Sequence, residues 1–315
     1  MKFQKTQLAV LLAAGSLFAA NFALAADQNQ EGQGRAVITV LPDKETPGAI
    51  SQEAVHAKVN GKDSEITSWT PLNSANSKIE MVVLIDDGAR SSLGTQMSDI
   101  AKFIQGLRPG TKVAVAYMQN GRAALSGPFT SDHAAAAREL HLPMAGTPGV
   151  SASPYFCLSD LAKNWPSTDA KARREVVMVT DGVDYYEMRY DPEDPYMQAA
   201  INDSVRAHLV VYSIYWRNQG GFDRTGYAAN DGQNLLAQLT QATGGNSFWE
   251  GYGNPVSFEP YFADIDRRID NQYELEFRAP IGSKPELESL KLRVSARAKV
   301  EAPQQVYVQA DTSGE

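Results

Sequence analysis

Cysteine is almost absent: Cys157 stands alone in 315 residues, so no intramolecular disulfide can form and no cysteine-based zinc or iron–sulfur site can be built. Basic charge is also in short supply. Lys and Arg number 29 against 37 Asp and Glu, a net charge of −8, which excludes the basic footprint of nonspecific nucleic-acid binding. Beyond residue 25 no apolar run approaches the roughly 18 residues of a membrane span. Four histidines, His56, His133, His141 and His208, are scattered and read as surface or turn residues. There is no G-x-x-x-x-G-K-[ST], H-E-x-x-H or G-x-S-x-G, and Gly251-Tyr252-Gly253 lacks the third glycine of a dinucleotide loop. What remains is ordinary globular composition, 43% hydrophobic and 21% charged.

Residues 1–25 have the layout of a secretory signal peptide: Lys2 and Lys5, an apolar stretch, then the small-x-small triplet Ala23-Leu24-Ala25 with cleavage expected before Ala26. The expectation is an exported protein, periplasmic or secreted. Residues 26–35, rich in Gln, Gly and acid, read as a disordered leader. Residues 36–72 read as a β segment: Val55, Ala57 and Val59 alternate with polar residues, and Asn60-Gly61 is a hairpin turn.

From Ile79 the pattern changes. Apolar strands, such as residues 79–85, broken only by Glu80, and 176–179, alternate with segments of helical spacing, such as residues 91–107, 131–140, 154–165, 235–242 and 258–269. Strands apolar throughout belong to parallel sheets covered on both faces. Residues 79–270 are therefore expected to form a doubly wound, mainly parallel, Rossmann-like α/β domain. Ligands in such sheets bind at the strand carboxyl ends, where Asp86 and Asp181 fall. Residues 272–309 return to alternation, and the fold expected is α/β with a flanking β module built from both chain ends. Cys157, beside Phe156 and Leu161 on a helix, reads as a buried structural thiol.

The order Val82-Val83-Leu84-Ile85-Asp86, Gly146-Thr147, Val177-Met178-Val179-Thr180-Asp181-Gly182 and Leu235 to Gly245 resembles a von Willebrand factor A (VWA) domain. With the flanking β segments, including Lys291, Arg293, Arg297 and Lys299, the chain is similar to the VWFA-related proteins of Acidobacteria. The resemblance implies a metal-ion-dependent adhesion site in which Asp86, Thr147 and Asp181 match the first Asp, the Thr and the last Asp. The two serine positions of its opening motif fall on Gly88 and Arg90, so a degenerate site is expected, with weak Mg²⁺ or other divalent binding and no other cofactor. An Arg90–Asp86 pair would replace the ion's charge.

The function expected is noncatalytic protein–protein interaction with an unidentified partner. The loops 87–92, 146–153 and 182–196 would carry it, through Asp87, Arg90, Ser91, Tyr185, Tyr186 and Tyr190. Two other readings stay open. One is a structural envelope component with the VWA core as scaffold. The other is a carboxylate-based hydrolase using Asp86, Asp87, Asp181 or Asp184.

Overall fold

The computed structural model describes residues 30–42, 50–72, 77–144, 153–186, 191–218, 226–248, 251, 253–281 and 285–310. The described chain opens with β1 (Gln30–Pro42), β2 (Val55–Val59) and β3 (Lys62–Pro71). Asn60 at φ 49° and Gly61 at φ 76° make the β2–β3 turn, the left-handed pair a tight hairpin requires.

The α/β domain follows. Its elements are β4 (Ile79–Asp86), α1 (Met97–Gly106), β5 (Lys112–Gln119), β6 (Arg122–Leu125), α2 (His133–Arg138), α3 (Pro154–Lys163) and β7 (Arg173–Thr180). Then come α4 (Pro195–Arg206), β8 (Leu209–Tyr215), α5 (Tyr227–Ala242), β9 (Ser247–Phe248) and α6 (Glu259–Asp270). The sheet order is β6-β5-β4-β7-β8-β9, parallel except for β6. Every residue of β4 and β8 is buried, the burial that continuous apolar strands call for. Met81, Val83 and Ile85 point toward α1 and α6, while Val82 and Leu84 point toward α3, α4 and α5. Each such side chain, fully withdrawn from water, contributes about 1.5–3 kcal/mol.

One local expectation differs. The helix expected over 91–107 starts with a 3₁₀ turn (Ser91–Gln96) and becomes α-helical only at Met97. Ser91, Ser92 and Gly94 are weak helix formers, and the Gln96 side chain is drawn to the Val256 carbonyl at 3.1 Å. The Asn120-Gly121 turn leads into β6, whose Arg-Ala-Ala-Leu sequence has no β-branched residue to mark it.

The chain ends in β10 (Gln272–Ile281), β11 (Glu286–Val294), β12 (Ala298–Glu301) and β13 (Gln305–Ala310). These pair antiparallel with the opening strands in the cycle β1-β10-β3-β2-β11-β13 and back to β1, with β12 added beside the end of β1. The β module of both chain ends is thus a closed antiparallel barrel, a form not foreseen from the sequence. Closure removes the exposed edges that an open sheet would leave.

The barrel also corrects the leader. β1 begins at Gln30, not Ala36, with Gln30 opposite Ile281 and Gly34 opposite Phe277. The Gln-Glu-Gly-Gln-Gly stretch looks unstructured by composition, but its glycines face a filled interior. A Cβ on Gly34 would overlap the Phe277 ring, and one on Gly32 the Ile281 side chain. Residues 26–29 and the signal-peptide segment lie outside the described residues.

Barrel and α/β domain meet at the amino-terminal ends of the parallel strands. Arg173, the first residue of β7, donates from Nη1 to the Ile269 carbonyl at 2.9 Å and to Gln272 Oε1, and from Nη2 to the Leu72 carbonyl at 3.3 Å. Gln272 Nε2 reaches the Tyr212 hydroxyl at 3.1 Å. Glu175 is wholly buried, with Arg173 Nε at 3.8 Å. Along β7 the rise of about 3.3 Å per residue puts the opposite, carboxyl end roughly 23 Å away.

Candidate binding face at the carboxyl ends of the strands

β4 delivers Asp86 and β7 delivers Asp181 to neighbouring positions. Asp86 Oδ1 accepts the Gly88 N–H at 2.9 Å, and its Oδ2 accepts the Thr180 hydroxyl at 3.0 Å. Asp181 Oδ1 accepts the Val183 N–H at 3.0 Å, and its Oδ2 accepts the Tyr185 hydroxyl at 2.7 Å. Asp87 points elsewhere: Oδ1 takes the Met144 N–H at 3.0 Å and Oδ2 takes Gln119 Nε2 at 2.9 Å. Asp184 Oδ1 accepts the Tyr186 N–H at 2.9 Å. All four carboxylates are buried.

The Asp181 loop is held by packing that only glycine permits. Gly182 sits at φ 68°, and a Cβ there would come within 2.5 Å of the Gly232 carbonyl on α5. A Cβ on Gly232 would in turn overlap the Asp181 carbonyl. From α3, capped by Ser153, the buried Tyr155 hydroxyl donates to the Gly182 carbonyl at 2.7 Å. Asn218, after β8, donates to the Gly88 carbonyl at 2.8 Å and ties the Asp86 loop to its neighbour.

Burial pushes the Asp86 and Asp181 carboxyls above the usual carboxylate range. The charge of Asp86 raises Asp181 further, and that of Asp87 adds to Asp86. The bonds from Gly88, Thr180, Tyr185 and Val183 oppose the rise. Burial, then Asp181, drives the Tyr185 hydroxyl upward.

Asp86 and Asp181 do lie together, whereas Thr147 and Tyr190 fall outside the described residues. Arg90 is exposed, and among the described residues it forms no ion pair with Asp86; the charge replacement expected from the sequence is not made. Arg90 heads the 3₁₀ turn, which directs the chain outward from the strand end. Ser91 is exposed beside it. Asp87 is not a free acid at a rim, because its two bonds fasten two loops. Tyr185 turns inward as a support for Asp181, while Tyr186 stays 47% exposed against Phe156 and Tyr196, ring centroids 5.3 and 5.1 Å away.

Sequence reasoning missed Leu142, Met144 and Val256, exposed by 57%, 72% and 97%. Met144 adjoins Asp87 through its N–H, Leu142 lies over Gly94, and the Val256 carbonyl holds Gln96. The Leu142-Pro143-Met144 loop is fixed from below. The Tyr117 hydroxyl donates to the His141 carbonyl at 2.6 Å and accepts its N–H at 2.8 Å, and the two rings stack at 3.7 Å. Apolar residues flanking prolines in Leu142-Pro143-Met144 and Pro255-Val256 were the available signal.

Among the described residues the donors do not complete a divalent-cation shell. Gly88 has no side-chain oxygen, Arg90 is a cation, and the Asp86 and Asp181 oxygens already accept loop hydrogen bonds. Among the described residues no three His, Cys, Asp or Glu side chains come together as a metal group. Cys157 is buried on α3, its thiol pushed up to about 12 by burial and then by the charge of Asp86, so it is a poor nucleophile. Among the described residues no helix is long and apolar enough to cross a membrane.

The strand order is that of an α/β fold with a mainly parallel sheet, and the paired Asp loops stand at its strand carboxyl ends. No family model matches the sequence, and no curated protein does. Solved structures similar to it include an aerotolerance-related membrane protein from Bacteroides fragilis, 18% identical over 61% of this chain and 98% of that one, TM-score 0.42. BatB from Bacteroides thetaiotaomicron is 15% identical over 61% and 97%, TM-score 0.41. The SpRpn10 VWA domain is 12% identical over 52% and 94%, TM-score 0.32.

Proposed function

We propose that this chain is an exported, noncatalytic VWA-domain protein that binds another protein through the loops at the strand carboxyl ends. The observation that carries the reading is the set of exposed apolar side chains there: Leu142, Met144, Val256 and Tyr186, attached to the loops of Asp87, Gln96 and Asp184. Exposed apolar groups rimmed by polar ones suit a protein partner. The buried carboxylates act as loop clamps rather than as acid–base groups, since each Asp86 and Asp181 oxygen is engaged by a backbone or hydroxyl donor. The adhesion site is degenerate and needs no tightly held ion. Export rests on the leader of residues 1–25.

The test is photo-crosslinking in the native envelope from Met144 and Tyr186, with Lys291 on β11 as the contrasting position. A single shared crosslinked protein from the first two, with the Met144 crosslink weakened by Tyr186→Ala and the Tyr186 crosslink weakened by Met144→Asp, supports the reading. Crosslinks only from Lys291 would make the VWA-like core a scaffold and favour the structural envelope role.

A further inference from the structure

The junction of barrel and α/β domain is lined mainly by basic side chains. Two adjoining cavities of about 300 and 630 Å³ open there and share Arg35 and His208 as lining. Together they are lined by seven Arg and Lys side chains and only two carboxylates, Glu274 and Glu276, in a protein of net charge −8. The combined space is in the range of small-molecule sites.

The cations come from both domains, and five of the seven (Arg35, Lys78, Arg173, Arg206 and Arg278) have a carboxylate within 4.0 Å, which leaves Arg174 and Lys171 without one among the described residues. Arg35 on β1 lies 3.7 Å from Glu274. Arg174 on β7 has no carboxylate within ion-pair distance among the described residues. Its Nη1 reaches only the Ala207 carbonyl at 3.3 Å, and its guanidinium lies over the Trp165 ring at 5.5 Å. Its Nε is buried with no hydrogen-bond acceptor among the described residues. Lys171, exposed at the mouth of the smaller cavity, also has no ion pair among the described residues. His208, held at φ 57° between α4 and β8, lines both cavities. Its ring is driven down to about 4 by burial first and then by the charges of Arg35 and Arg174, so like charges crowd one point. Beside them the smaller cavity offers an apolar wall of Val37, Pro71 and Leu72.

The guanidinium of Arg174, with no carboxylate partner among the described residues, and that of Arg35, 3.7 Å from its partner, match oxyanions, because the planar fork of Arg binds carboxylate or phosphate oxygens two at a time. We propose that this interdomain cleft binds a small organic polyanion. Its phosphate or carboxylate groups meet Arg35, Arg174 and Lys171, and its carbon frame lies on Val37, Pro71 and Leu72. The site lies at the opposite end of β7 from Asp181, and it bridges the barrel to the α/β domain.

The test uses the full mature chain with citrate and inorganic pyrophosphate as separate probes, by calorimetry at 150 mM NaCl. The expected result is a dissociation constant at or below about 100 μM for at least one probe; the stronger probe tells carboxylate from phosphate chemistry. Arg174→Gln and Arg35→Gln should each weaken that probe about tenfold or more, while Arg293→Gln, exposed on β11, leaves it within twofold. Arg174→Lys, which keeps charge but loses the fork, should fall between, and it serves if Arg174→Gln fails to fold. Millimolar or weaker binding of both probes overturns the proposal. So does equal weakening by Arg293→Gln, which would mark a diffuse charge effect.

Discussion

The Thr180 hydroxyl donates to Asp86 Oδ2 at 3.0 Å, so the last residue of β7 holds the last residue of β4. The same hydroxyl oxygen accepts the Gly182 N–H at 3.2 Å. One side chain thus fixes both Asp loops where they leave the sheet.

Thr180→Val removes that hydroxyl at nearly constant volume and leaves a buried carboxylate oxygen and the Gly182 N–H without their partner. The expected loss of stability is about 1–3 kcal/mol in urea unfolding. Thr180→Ser keeps the bond and should lose clearly less. A loss from Thr180→Ser larger than that from Thr180→Val would show that the methyl group, not the hydroxyl, matters.

The two neighbouring tyrosines should separate stability from binding. Tyr185→Phe deletes the 2.7 Å bond to Asp181 and is expected to cost about 1 kcal/mol or more of stability. Tyr186→Ala removes a half-exposed ring and should cost less stability while weakening partner crosslinking more. The reverse order in thermal unfolding would show that Tyr185 is not the support its geometry indicates.

The interior acids set a pH dependence of unusual sign. Burial raises Glu175 to about 7, with Arg173 offsetting part of the rise. A carboxyl raised in the folded state binds more protons folded than unfolded. Its contribution to stability is therefore fully present below the unfolded value near 4.5 and is lost as pH climbs through about 7. Asp86 and Asp181 act in the same direction. Asp264, lowered against its burial by Arg267 and Arg268, acts oppositely, and its contribution disappears only as the solution becomes strongly acid. Urea midpoints should fall between pH 5 and 8, and Glu175→Gln should flatten part of that fall. A variant with the parent's slope would remove Glu175 as its source.

Much of this was written in the sequence, and the gaps have physical causes. β4 and β7 were legible because strands buried on both faces carry apolar runs, Met81 to Ile85 and Val176 to Val179, and Asp86 and Asp181 follow from where those strands stop. Asn60-Gly61 marked its hairpin by the left-handed geometry that few residues tolerate. Barrel closure was not legible: it depends on β1 pairing with β10 and β13 from the far end of the chain. Nor was the inward turn of Tyr185, since Tyr185 and Tyr186 are chemically identical neighbours and only the position of Asp181 distinguishes them. The cationic cleft was hidden because Arg35, Lys171, Arg174 and His208 are separated in sequence and diluted in an acidic chain.

Ion binding at the Asp loops is expected to be weak or absent. Calorimetry at millimolar Mg²⁺ or Mn²⁺ should give only heats of dilution, because Gly88 and Arg90 stand where oxygen ligands are needed. A micromolar dissociation constant abolished by Asp86→Ala would mean that the loop completes its shell from other donors.

The start of β1 offers the sharpest check of the barrel. Gly34 faces Phe277, and a Cβ there must displace the ring. Overpacking of a filled interior costs typically 1–3 kcal/mol, so Gly34→Ala should destabilise the chain by about that amount. Phe277→Leu alone should also destabilise, by leaving space. Combined, the two should be less harmful than their sum, because the added methyl enters the room vacated by the ring. Urea unfolding of the four proteins measures the coupling. Simple additivity, with Gly34→Ala itself near neutral, would place residues 30–35 outside the barrel wall and return them to the role of a leader.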